Sequence, residues 1–176
     1  MMTRAGWFNT YLLLLVVMVS VGCKTAQEAR HDKAIATFRL HLETNPGGTE
    51  SSAMIEIAGT QLSVNNIPFL DETSVTNAAV VDTRDGGFAI RVQYGRHGAL
   101  VLDTVTTENR GRHIAIFTQF GAGKLEQQRW LGAPYIGSSM VGGLLIFTPR
   151  STRAEAEEVV QGLNNVAKKL KKKRAY

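Results

Sequence analysis

Val80-Val81-Asp82-Thr83, then Asp85-Gly86-Gly87, then Phe88-Ala89-Ile90-Arg91-Val92-Gln93-Tyr94: two β-rich segments stand on either side of a turn signal. Asp-Gly supplies the positive φ angles that a tight turn demands, so the stretch reads as a β-hairpin. The period then changes. Leu100, Val101 and Val105 fall at helical spacing in residues 95–109, and Gly111 is the expected C-cap. His113-Ile114-Ala115-Ile116-Phe117 reads as a strand, Gly121-Ala122-Gly123 as its turn, and residues 125–131 as a returning strand. A glycine-rich loop over 132–143 precedes Leu144-Leu145-Ile146-Phe147, a continuous apolar run that reads as a buried strand. Strand, strand, helix, strand, strand, strand, helix implies an α+β fold. Its expected form is an antiparallel-rich sheet with helices packed on one face, a ferredoxin-like sandwich.

The last element carries its own start signal. Thr152 with Glu155 three residues on is a capping box, in which two orphan backbone donors are satisfied reciprocally. Ala156, Val159, Val160, Leu163, Val166, Ala167 and Leu170 follow at spacings of three and four, one apolar stripe of a helix. Upstream of the hairpin, Phe38-Arg39-Leu40-His41-Leu42-Glu43 alternates like a half-buried strand, and Asn45-Pro46-Gly47-Gly48 ends it. Two short strands are expected on either side of Gly59. Pro68-Phe69-Leu70-Asp71-Glu72 leads to a helical turn near Ser74.

The amino-terminal segment belongs to a different class. Arg4 precedes an apolar core that ends Val19-Ser20-Val21-Gly22-Cys23, with the only cysteine of the chain last. A positive start, a short apolar core and small residues before a cleavage point mark a secretory signal. The core is shorter than the roughly 20 residues of a comfortable membrane span. The end resembles a bacterial lipobox, in which the cysteine thiolate takes a diacylglyceryl group. A plain signal peptide and an uncleaved membrane helix are the alternatives; the position of the sole cysteine favours the lipobox. The expected organisation is a signal peptide over 1–22, an acylated Cys23 with a polar tether over 23–33, a domain over 34–170 and a basic tail over 171–176. Lys24 stands where Asp holds some lipoproteins at the inner membrane, so the periplasmic side of an outer membrane is the expected location.

Composition narrows the partners. One cysteine allows no disulfide framework. The net charge of +5 comes from the chain's end: Lys168, Lys169, Lys171, Lys172, Lys173 and Arg174 lie in the last nine residues, and the rest holds 14 positive against 15 negative side chains. The high pI therefore belongs to one helix end. Such a cluster suits an anionic membrane or a partner protein. It equally suits a solvated helix end that complements the dipole. Nucleic acid is excluded as a partner by export and by the lack of interleaved aromatics.

Several phrases, taken in order, resemble the head of the first periplasmic domain of SecD, the accessory subunit of the bacterial Sec translocase. They are Pro68-Phe69-Leu70, Ala79-Val80-Val81-Asp82, Gly111-Arg112-His113-Ile114-Ala115-Ile116, Ala133-Pro134-Tyr135-Ile136, Gly142-Gly143, Phe147-Thr148 and Glu155-Ala156. The resemblance runs from Phe69 onward, most of the expected domain. It implies that domain's fold and a role in contacting exported polypeptides, Sec components or envelope-assembly proteins. It does not imply a proton-driven cycle, because SecD's multiple membrane helices have no counterpart after the signal. Gln119-Phe120-Gly121-Ala122-Gly123-Lys124 also replaces the Asp-Gly turn frequent in that family.

Catalytic patterns are sparse. Gly121-Ala122-Gly123-Lys124 lacks the following Ser or Thr and the leading Gly of a phosphate loop, and reads as a hairpin turn. His31, His41, His97 and His113 form no ligand pair, so no metal is expected, and no cofactor. Gly137-Ser138-Ser139 lacks a nucleophile-elbow context. Asp82, Asp103 and Glu126 are carboxylates whose pairing the sequence does not show. The expected function is binding, without enzymatic activity. Trp130, Leu131, Pro134, Tyr135 and Ile136 are the candidate surface, since Trp and Tyr dominate interface hot spots; the same residues also suit a core beneath the loop. The alternative is a structural envelope lipoprotein whose basic helix end docks on membrane or partner.

Overall fold

The structure is a computed structural model that describes residues 32–47 and 51–174, with side chains through residue 173. In chain order the elements are β1 (Ala34–Leu42), β2 (Ser52–Ile57), β3 (Thr60–Asn65), β4 (Val75–Asp82), β5 (Phe88–Tyr94), α1 (Arg96–Glu108), β6 (Ile114–Ala122), β7 (Gln127–Gly132), β8 (Leu144–Phe147) and α2 (Arg153–Arg174). Short 3-10 turns occupy Glu72–Ser74 and Val141–Gly143. The fold is α+β with antiparallel pairing throughout, and both helices feed one core.

The strands divide among three ladders, ordered β1-β6-β7, β4-β5-β8 and the hairpin β2-β3. Ala34, Ala36, Phe38 and Leu40 alternate inward along β1 and are buried. Ala36, Phe38 and Leu40 meet Ile114, Ile116 and Phe120 of β6, Ile90 and Val92 of β5, Leu145 of β8, and Ala156, Val159, Val160 and Leu163 of α2. The opposite face of β1-β6-β7 is covered as well. Ile57, Leu62 and Val64 of the β2-β3 hairpin pack on Ala115, with Trp130 and Ala133 beside them, in a separate small core. A two-residue turn joins these two strands: Ala58 and Gly59 both have positive φ, at 64° and 77°. That geometry twists with the strands it joins.

The outer edge of β1 is held at three of its residues. Leu40 bridges Leu70, donating to the Leu70 carbonyl at 2.9 Å and accepting from Phe69 at 2.9 Å. The Phe38 N–H donates to Glu72 Oε2 at 3.0 Å. Asn165 Nδ2 donates to the Ala34 carbonyl at 3.0 Å. Next to Asn165 on α2, Asn164 takes both backbone groups of Ala78 on β4: Oδ1 accepts from the N–H and Nδ2 donates to the carbonyl, each at 2.9 Å. Consecutive asparagines of one helix thus bind the edges of two different sheets. Gly162 makes this approach possible, because a Cβ there would lie 2.6 Å from the Ala36 nitrogen. The helix begins as its sequence demands: the Thr152 N–H donates to Glu155 Oε2 at 2.8 Å, and the Glu155 N–H donates to Thr152 Oγ1 at 3.3 Å.

Three local expectations need correction. The helix α1 ends at Asn109, whose N–H and side-chain amide both donate to the Val105 carbonyl; Gly111 lies beyond the cap, at φ 88°, with its N–H on the Ile136 carbonyl. Between β4 and β5 only Gly86 has positive φ, and the Thr83–Gly87 hydrogen bond closes a longer loop than a two-residue turn. The strand β8 is not buried on both faces: Leu145 and Phe147 face the core, whereas Leu144 and Ile146 are exposed. An unbroken apolar run hides that alternation, because every position reads alike.

Candidate functional site

The cluster expected at residues 130–136 separates into layers. Leu131 and Ile136 are fully buried in the main core. Trp130 lies half-buried on the other face of the sheet, 5.4 Å from the His41 ring and 5.0 Å from Phe117. The backbone over Pro134, Tyr135 and Ile136 runs antiparallel to residues 111–114: Ile114 donates to the Pro134 carbonyl at 3.0 Å and Ile136 to the Arg112 carbonyl at 2.8 Å. Tyr135 is left exposed, its ring 5.6 Å from His113. Of the five residues, Trp130, Pro134 and Tyr135 reach solvent, and they do not form one apolar surface with Leu131 and Ile136.

Pro134 lines a groove of about 410 Å³ between the β2-β3 turn and the ends of β7 and β8. Ile57, Leu62, Ala133 and Phe147 supply apolar wall, and His113 and Arg150 supply polar groups. Glu43 Oε2 accepts from the His113 N–H and from its Nδ1, each at 2.7 Å, which fixes the ring. A carboxylate that orients an imidazole is half of a nucleophile-activating arrangement. Among the described residues no serine hydroxyl is bonded to this imidazole. His41 plays another part. Its Nδ1 donates to the Asn65 carbonyl at 2.7 Å, and burial, with the Arg39 charge adding, holds its pKa below the ordinary histidine value against that hydrogen bond. In Gly121-Ala122-Gly123-Lys124 the first two residues end β6 and the last two open the β6-β7 turn, whose Lys124 carbonyl lies where a Gly121 side chain would begin. No group of three His, Cys, Asp or Glu capable of holding a metal occurs among the described residues.

Further exposed apolar residues lie on α1, the Val141–Gly143 turn and β8. Leu100 is 65% exposed, Val141 71%, Leu144 41% and Ile146 52%. Leu100 also lines an open hollow of about 610 Å³, with Arg96, His97, Ala99, Asp103 and Gly142. Gln93 fastens the turn to β5 through Nε2, which donates to the Gly142 carbonyl at 2.8 Å and the Gly143 carbonyl at 3.2 Å. Thr106 fastens it to α1: its hydroxyl accepts from the Met140 N–H at 2.9 Å and donates to the Leu102 carbonyl at 2.7 Å. Gly143 has positive φ, and a Cβ there would strike Ala99 at 2.6 Å.

Part of the β8 backbone faces away from β5. Asn164 occupies both backbone groups of Ala78, so Ala78 points away from β5. In an antiparallel ladder the pointing alternates, which aims Arg91 at β4, and Ile90 and Val92 at β8. Their partners Phe147 and Leu145 bond back. Leu144 and Ile146 therefore direct their N–H and C=O groups to the open edge, which no described strand covers. Two donors, two acceptors and two exposed aliphatic side chains share four residues. Sequence reading missed these residues; the signal available was only the position of β8 as the last strand, next to glycines.

The remaining expected residues are easily placed. Lys168, Lys169, Lys171, Lys172 and Lys173 are all exposed on the last turns of α2. Arg174 closes the helix, its side chain beyond those described, and Cys23 lies outside the described residues.

Comparison with solved structures finds SecDF. A structure described as a membrane component SecDF that enhances protein export matches at TM-score 0.57 and 17% identity, covering 82% of this chain and 70% of that one. SecDF in a super-membrane-facing form matches at TM-score 0.57 and 18% identity, covering 82% of this chain and 21% of that one. No protein-family model matches the chain, and no curated protein sequence does. The likeness to SecD read from residue 69 onward holds at the level of the fold.

Proposed function

We propose that this chain is an extracytoplasmic, lipid-anchored binding domain that holds extended polypeptide segments by strand addition along β8. The open edge of β8 carries this reading. An extended chain offers the donors and acceptors that Leu144 and Ile146 lack, and alternate apolar side chains to lie over them. Natural edge strands are commonly guarded by charge or proline; Leu144-Leu145-Ile146-Phe147 has neither within it, and Pro149 follows it. The fold likeness to SecDF, described as enhancing protein export, supports exported polypeptides or their Sec and envelope partners as the occupants. Acylation at Cys23 would hold the domain at the membrane, on the periplasmic side of an outer membrane given Lys24. No helix among the described residues is long and apolar enough to cross one. The role is binding, with no cofactor and no catalytic step.

Capture of an unfolded polypeptide by the purified protein tests the reading. Ile146→Pro removes one outward N–H and leaves the β5-β8 bonds of Leu145 and Phe147 in place. Affinity should fall by about fivefold or more, since one hydrogen bond is worth about 1 kcal/mol. Ile146→Lys should abolish capture of apolar segments. Capture that survives both variants but is lost in Trp130→Ala moves the site to the Trp130 face, and no capture by the parent protein ends the proposal. Loss of acyl-chain incorporation in Cys23→Ser checks the lipid anchor separately.

A further inference from the structure

We infer that the last turns of α2 dock on anionic lipid headgroups at the membrane that the chain's own apolar amino-terminal segment addresses. This goes beyond polypeptide capture and does not depend on it. The geometry begins at Asn165, whose side chain is bonded to the Ala34 carbonyl at the start of β1. Everything that precedes Ala34 joins the domain at that point, including the charge-free run over residues 12–23. From Asn165 the helix continues away from the strand, reaching Lys173 after about 12 Å at 1.5 Å per residue. The junction with the amino-terminal segment and the basic helix end thus share one pole of the domain.

The charges that α2 itself brings to this pole are of one sign. No Asp or Glu follows Glu158, and the acidic residues of α2 all lie in its first two turns. At 100° per residue, Lys168, Lys169, Lys171, Lys172 and Lys173 cover an arc of about 200°, opposite the stripe of Ala156, Val159 and Leu163 that enters the core. The helix dipole alone does not account for this. Its field falls off within the last turn, and Lys168 and Lys169 lie more than a turn from the end. Like charges at 168/172 and 169/173 weaken a helix standing alone. An anionic surface relieves that repulsion, and the nearest one for this chain is the membrane its other end seeks. An acidic protein would meet the same charges, but nothing joined to this pole leads to one.

The test uses the full chain with Cys23→Ser, so that acylation does not mask weaker binding. Its partition to phosphatidylcholine vesicles is compared with that to vesicles containing phosphatidylglycerol, at low and high salt. The apolar segment binds both; the basic pole should add a preference for phosphatidylglycerol that salt removes. Changing the five lysines to Gln should abolish that preference, on the order of fivefold per lysine. Gln retains helix propensity, and circular dichroism verifies the helix. Arg91→Gln, remote from this pole, should keep the preference. Equal binding to both lipids overturns the inference, as does a preference that survives the five substitutions. Binding to polyglutamate without any lipid preference overturns it in favour of an acidic protein partner.

Discussion

The two three-stranded sheets use similar residues and end differently. In β1-β6-β7 one face meets the main core, the other meets the β2-β3 hairpin, and the edge at β1 is closed by Leu70, Glu72 and Asn165. In β4-β5-β8 the edge at β4 is held by Asn164, whereas β8 ends in open backbone beside Leu144 and Ile146. Open edges invite pairing with other chains, and stable proteins usually cover them. Closing β1 through three separate devices while leaving β8 bare separates a strand kept for stability from one available to a partner.

Stability measurements can break this contrast. The largest effect should come from the closed sheet: Phe38→Ala removes a fully buried ring and should cost about 4 kcal/mol in urea unfolding. The matching change on the open edge, Ile146→Ala, should cost under about 0.5 kcal/mol; similar losses at both sites would erase the distinction. Asn164→Ala comes next. It strands both backbone groups of Ala78 and should cost about 2 kcal/mol. Its effect on hydrogen exchange should concentrate in β4. Tyr94→Phe goes the other way. The Tyr94 hydroxyl is buried with no hydrogen-bond partner among the described residues, and burial, with Asp71 adding, pushes its pKa up beyond normal titration. Removing that oxygen should stabilise the protein by about 1 kcal/mol.

The smallest effect is a pH dependence of the hairpin side. Burial holds the His41 pKa below 6.5 in the folded chain, so the unfolded chain takes up its proton first as pH falls. Stability from this group is therefore full above about 6.5 and declines as pH drops through 6.5 toward the folded value. His41→Gln should flatten that segment of the stability curve, and an unchanged slope would show that the small core beneath Trp130 does not sense His41.

Much of this fold was legible because its signals are local. The capping box at Thr152 and Glu155, the stripe from Ala156 to Leu163, and the change of period after Tyr94 each need only a few neighbouring residues to be read. The holding of the β1 edge was not legible. Glu72 reaches Phe38 and Asn165 reaches Ala34 across long stretches of chain, and neither asparagine of α2 differs in sequence from a solvated one. Gly162 looks like a flaw inside a helix until the close approach of β1 explains it. The candidate site was half legible for the same reason. Aromatic content drew attention to Trp130 and Tyr135, whereas the exposure of Leu144 and Ile146 depends on which strand ends a sheet, and that is settled only by pairing.

The Asn165–Ala34 hydrogen bond also has a mechanical meaning. A pull transmitted along the amino-terminal segment arrives at Ala34, the end of the β1-β6 ladder, where strands peel one bond at a time. Asn165 ties that first residue to a helix rooted in both sheets, so the load spreads into α2 before the ladder opens. A domain held from that end is reinforced at its point of suspension.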